Sequence, residues 1–445
     1  MIKTPKSKPS WAALTALLLL GACSTDTWFG EEKDPPLPGE RISVLALEQG
    51  LAPDPEISGN EILLPRPFQN SSWPQAGGYA NHAMHHLAVA NNLRSVWKTD
   101  AGSGRGDNER LVASPVIADG VLFTMDSHNN VTAFKADSGQ TLWRTSLTPD
   151  EEDSEHFSGG LAVEGGRVFA ATGFAEVVAL DAKTGKTVWR QKVTAPMHAA
   201  PAVRGGRVFV VTIANTLHAL GADDGRSLWS YAGTEETASL LGAASPAVDS
   251  GIVVAPFSSG ELVALKVENG RVLWNDNLAR TSRTRAVSAL AQIRGRPIID
   301  RGLVIAVSHA GRMAALDLVN GRRVWNKPIG SQESPWVAGD YIFVISNDQE
   351  LVALSRKTGS VHWVQALPRY EDAEDKTGII NWTGPVLVSN RLIVAGSDGR
   401  ALAVSPYTGK MLGSDNMPDG LHLPPVVANA MVYFLTEDAT VSAYR

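Results

Sequence analysis

The chain has 445 residues, 44% of them apolar and 19% charged, which excludes a wholly disordered polymer. Its net charge is −6 and it carries no long basic block, so nucleic acid is excluded as the main partner. Cys23 is the only cysteine, so no intrachain disulfide can form.

The N-terminus reads as a targeting segment, residues 1–22. Lys3, Lys6 and Lys8 form its positive region, and Trp11 to Leu20 a short apolar run. That run is too short to span a bilayer stably. It ends in Leu20-Gly21-Ala22-Cys23, the pattern of a bacterial lipobox. Cleavage before Cys23 and acylation of its thiol and new amino group would give a lasting anchor, because each buried CH₂ contributes about 0.8 kcal/mol. Ser24 stands where an aspartate would favour retention at the inner membrane, so the expected destination is the periplasmic face of the outer membrane. Residues 23–67 follow as an expected tether rich in proline, interrupted by the apolar island Ile42 to Leu47. Phe68 to Asn92 reads as a polar loop. Its Asn-His-Ala-Met-His-His run, with His82, His85 and His86, lacks a matched second group of metal ligands.

From Leu93 onward the chain is organised by a repeat. Its skeleton is Ala followed by Leu or Phe, a Gly six residues after the Ala, and a Trp four residues later. Ala133-Gly139-Trp143, Ala179-Gly185-Trp189 and Ala219-Gly225-Trp229 show it first. Ala264-Gly270-Trp274, Ala315-Gly321-Trp325 and Ala353-Gly359-Trp363 follow. A further copy, Ala403 and Gly409, has Gly413 in place of Trp, and an eighth begins at Ala443. Around each copy four short strands are legible. The first usually follows a proline, as at Pro115, Pro201 and Pro246. The third and fourth are joined by a hairpin such as Asp181 to Lys186, with Gly185 at a positive-φ position.

Four antiparallel strands every 40–50 residues define a propeller blade. A single blade cannot bury both faces, so the blades must close into a ring. The expected fold is all-β: an eight-bladed β-propeller over residues 68–445. The strand ending at Trp97 would supply the missing fourth strand of the last blade. The tryptophans are expected to wedge between blades. The repeat alanines are expected to be small because blades crowd near the axis.

No catalytic order of Ser, His and Asp, no zinc-protease motif and no phosphate-binding loop is present. The acidic stretches Asp150 to Asp153 and Glu371 to Asp375 read as solvated loops. The expectation is a protein with no catalytic residues, no metal and no cofactor. Trp336 and Trp382 begin a tally of aromatics that would favour a carbohydrate-binding rim.

The Ala-Leu-Asp-x-x-Thr-Gly-Lys-x-x-Trp core of the repeat resembles the docking motif of pyrroloquinoline-quinone-type propellers. Dehydrogenases of that superfamily use paired cysteines, a calcium site and a catalytic aspartate; here the one cysteine belongs to the lipobox. Lipobox and propeller together resemble the BamB family, lipoproteins of the outer-membrane β-barrel assembly machinery, and the Pro-rich extension resembles α-proteobacterial members. The resemblance implies a scaffold that binds the POTRA domains of BamA and other subunits of that machinery. It also implies contact loops after the third and fourth complete repeats, carrying Leu240, Leu241 and Gly242, and Leu290, Gln292 and Arg294. Leu241 stands where the family has a basic residue, and Gln292 and Arg294 lie where it has acidic ones.

Overall fold

The computed structural model describes residues 50–106, 110–152, 157, 159–236, 242–279 and 291–445. Eight four-stranded antiparallel sheets follow one another along the chain. Blade 1 spans residues 116–146, blade 2 160–192, blade 3 202–232 and blade 4 247–277. Blade 5 spans 298–327, blade 6 336–366 and blade 7 382–416. Blade 8 takes its first three strands from 426–444 and its fourth from Ser95–Asp100, which pairs antiparallel with Thr440–Tyr444. This is the expected eight-bladed propeller with its expected clasp.

The repeat hairpin forms as its residues dictate. Asp181 Oδ1 accepts hydrogen bonds from the backbone N–H of Lys183 (3.1 Å) and Thr184 (2.8 Å) and from the Thr184 hydroxyl. Those bonds hold its carboxyl below the usual carboxylate range. Gly185 takes φ 69°, and the ladder is irregular between Ala179 and Leu180, the bulge that such a turn requires.

Each tryptophan then docks on the next blade. Trp143 Nε1 donates to the carbonyl of Ala182 at 3.0 Å, and a Cβ at Gly185 would lie 2.5 Å from the Trp143 ring. Trp97, Trp189, Trp229, Trp274, Trp325 and Trp363 repeat the contact on blades 1, 3, 4, 5, 6 and 7. Glycine is required in the hairpin twice over, for its φ and for room under the indole.

The role expected for the repeat alanines is corrected. The third strand is next to the outermost, not near the axis. Ala133 lies between Phe123 on the second strand and Trp143 on the fourth. Its small side chain lets the two rings meet across it, with centroids 5.8 Å apart. Blades 2, 3 and 6 repeat the row with Phe169, Phe209 and Phe343, and blade 8 with Tyr433.

Candidate functional site

The first strand of each blade is innermost and would leave an unpaired edge facing the axis. Residues 70–89 satisfy those edges. Running once round the axis, they hydrogen-bond to every blade in turn. Asn70 Nδ2 donates to Val427 O of blade 8. Trp73 exchanges two backbone bonds with Ile117 of blade 1, at 2.7 and 2.8 Å. The carbonyl of Pro74 accepts from Val163 of blade 2. The Gln75 amide imitates a peptide unit, donating to Val203 O and accepting from Val203 N–H on blade 3. Ala80 and Asn81 carbonyls accept from Val248 and Ile299 of blades 4 and 5. His85 O accepts from Trp336 Nε1 of blade 6, and Leu87 pairs with Leu387 and Ser389 of blade 7. The stretch expected to be a polar loop is thus a buried plug. Trp73, Met84 and Leu87 are buried in the core, and Trp73 stacks on Trp336 at 6.2 Å.

The histidines belong to this plug and do not form a metal site. His82 is buried; its Nδ1–H donates to Pro297 O at 2.7 Å, and its Nε2 has no partner. Burial, followed by the nearby Arg296 guanidinium, pushes its pKa down to about 3. His86 bonds Pro65 O, and His85 lies 3.5 Å from Asp300. Among the described residues no three His, Cys, Asp or Glu side chains converge as metal ligands. The Pro-rich stretch from Leu51 to Pro67 packs along blade 6. Asp54 bonds Val361 through its backbone N–H and its carboxylate, and Ile62 is buried. Ile42 to Leu47 and Cys23 lie outside the described residues.

Above the plug opens a funnel of about 660 Å³, with Ala76 at its floor. Several of its charged side chains are held by neighbours. Arg105 pairs with Glu437 at 2.9 Å, and His422 also meets Glu437. Arg294 donates to Gln332 at 2.7 Å, and Glu333 accepts from the Thr383 hydroxyl at 2.7 Å. Burial lowers the pKa of both His198 and His422; for His422 it acts against the raising effect of Glu437, and Arg105, Arg110 and Arg294 add to the lowering. Outside the funnel, Ser103 Oγ lies 2.9 Å from His128 Nδ1, but Asp126 binds Arg144 and backbone N–H groups and does not orient the imidazole.

Three residues expected in the contact loops come together at the funnel mouth. Gln292 Nε2 donates to Gly242 O at 2.8 Å, and Gly242 and Arg294 both line the funnel. Leu240, Leu241 and Leu290 lie outside the described residues. Gln292 itself is buried, so it braces the rim and offers little side chain to a partner. Trp336 and Trp382 are also buried, which removes them from any aromatic rim. Glu371 to Asp375 form the exposed turn of a small hairpin between blades 6 and 7. Sequence reasoning missed the plug, whose one visible signal was its run of buried-type residues, Trp73 to Leu87, among glycines.

The propeller fold is shared with enzymes that hold pyrroloquinoline quinone, but these residues do not fit that group. Among the described residues, the funnel lining contains no Trp, Tyr or Phe against which a flat quinone could stack. Cys23, the single cysteine, leaves no cysteine pair. No step through that cofactor is derived.

Ring, plug and polar funnel define a closed eight-bladed propeller of the tryptophan-docking type. The chain belongs to the family of the outer membrane protein assembly factor BamB, whose family model matches residues 127–365. It is 28% identical over 169 residues to the factor of that name from Legionella pneumophila, covering 38% of this chain and 42% of that one. To the Escherichia coli factor it is 27% identical over 169 residues, covering 38% and 41%. The match thus spans about two fifths of the length of these curated relatives. Among solved structures, BamB from Moraxella catarrhalis superposes with a TM-score of 0.67 at 21% identity, over 80% of this chain and all of that one. A quinohemoprotein alcohol dehydrogenase from Comamonas testosteroni reaches 0.62 at 16% identity, over 84% and 80%, a likeness of fold alone.

Proposed function

We propose that this protein is a non-catalytic scaffold of the outer-membrane β-barrel assembly machinery, lipid-anchored at Cys23 on the periplasmic face. The family match carries the reading. The funnel supports it: Arg105 is paired with Glu437, and Arg294 and Glu333 are held by Gln332 and Thr383. The partner surface is the funnel rim between blades 3 and 5, where Gly242 and Arg294 border the segments carrying Leu240, Leu241 and Leu290. Its partner is the POTRA domains of BamA, with the other assembly subunits bound through the same complex. Leu240→Asp should reduce recovery of BamA from detergent-solubilised membranes at least about tenfold, since a buried apolar contact becomes a desolvated charge. An unchanged yield would move the contact elsewhere on the ring, and no recovery with the wild type would reject the scaffold reading. Replacing Cys23 by Ala should release the protein into the soluble periplasmic fraction.

A further inference from the structure

Seven of the eight seams between blades are closed by an indole. The eighth, between blades 7 and 8, is built differently on both sides. Blade 7 has Gly413 at the tryptophan position, opposite Ala403. Blade 8 has no hairpin between its third and fourth strands, because its fourth strand is Ser95–Asp100. So the seam lacks both the indole and the glycine that would receive it.

The space is open. A Cβ built on Gly413 meets nothing within 4 Å. A cavity of about 380 Å³ lies there, floored by Ile393 and Ala403 and walled by Leu412, Phe434 and Tyr444. Ile393 and Ala403 correspond in register to Phe123 and Ala133 of blade 1, so the cavity stands where Trp143 stands in that blade. Beside it, all six residues of the fourth strand, Met411–Asn416, are exposed, Leu412 by 58%. This strand pairs on one side only, with Arg400–Val404.

We propose that this vacant indole slot is a docking site for an extended segment of another protein, which adds to the free edge of Met411–Asn416 and lays an aromatic side chain over Gly413. Two features of the molecule choose that occupant. At the register position of Gly413, each of the other seven fourth strands carries an indole. A strand edge with a central glycine is stabilised when a cross-strand aromatic ring covers it, and edge addition is a general mode of peptide recognition. The proposal stands on the seam alone and does not depend on the assembly partner above.

The test uses the full chain in detergent and two fluorescein-labelled heptapeptides of alternating Thr and Val, one with Trp and one with Ala at the centre. Anisotropy should show the Trp peptide binding about tenfold tighter, the size of one well-packed aromatic contact. Gly413→Trp should abolish that preference and raise the melting temperature, while Gly413→Ala should keep the preference. Equal binding of the two peptides, or a preference that survives Gly413→Trp, overturns the proposal. A Gly413→Trp chain that fails to fold also overturns it, because the slot would then not be open. Sedimentation of a wild-type dimer that Gly413→Trp makes monomeric would assign the slot to a second copy of this chain and overturn it as well.

Discussion

At the rim of the ring one contact is repeated seven times, indole on glycine with Nε1 on a carbonyl. At the axis a single segment touches all eight blades, and apart from shared use of backbone carbonyls it repeats little: a paired backbone, a proline carbonyl, a glutamine side chain, an indole donor. The difference follows from geometry. Neighbouring blades meet at the rim in equivalent seams, so one solution can be copied. The plug is one unrepeated strand inside an eight-fold ring, and each residue meets its blade at a different angle. Repetition makes the rim modular, while the axis is specified residue by residue.

Substitutions at four positions sharpen that contrast. Trp189→Ala removes the Phe169 contact, the bond to Ala222 O and the cover over Gly225, and should cost about 3 kcal/mol in equilibrium denaturation. If the seams are modular, the same change at Trp229 should cost a similar amount. Gln75→Ala strips the inner edge of blade 3 of a donor and an acceptor in a buried site. It should cost about 2 kcal/mol, and Gln75→Glu should not restore it, because a carboxylate cannot donate to Val203 O. Equal tolerance of Ala and Glu there would mean that the plug is held without that pair. The smallest effect is the pH dependence set by His82. Unfolded, it binds a proton near pH 6.5; folded, not until about pH 3. Within that window the unfolded state holds more protons, so stability is fully present above pH 6.5 and is lost as the pH falls. The melting temperature of the wild type should fall between pH 7 and pH 4.5, and His82→Gln should flatten part of that slope.

The same contrast explains what could be read in advance. The Ala-Gly-Trp spacing revealed the ring, its eight blades and the clasp at Trp97, because a contact made seven times leaves seven marks. The reason for the alanines was not legible, since it depends on which strand lies outermost and which ring faces which. Nor was the plug: its bonds are mostly backbone, and His82, His85 and His86 look polar until burial is known. Gly413 stood out in the sequence as an exception, but its meaning depends on the hairpin that blade 8 lacks. Of the residues expected at the partner surface, Gln292 and Gly242 are joined by a hydrogen bond that no spacing rule encodes, and Arg294 lines the same funnel as Gly242.

The clasp also fixes the order of events when the protein is made. The plug and clasp strand precede every blade in the chain, yet the clasp finds its partner only when Thr440–Tyr444 has followed. Until then the plug has no complete circle of blades to bond, and the apolar strands lack their final neighbours. Ring closure is therefore a late, long-range and cooperative event, the kind that folds slowly and leaves sticky edges exposed meanwhile.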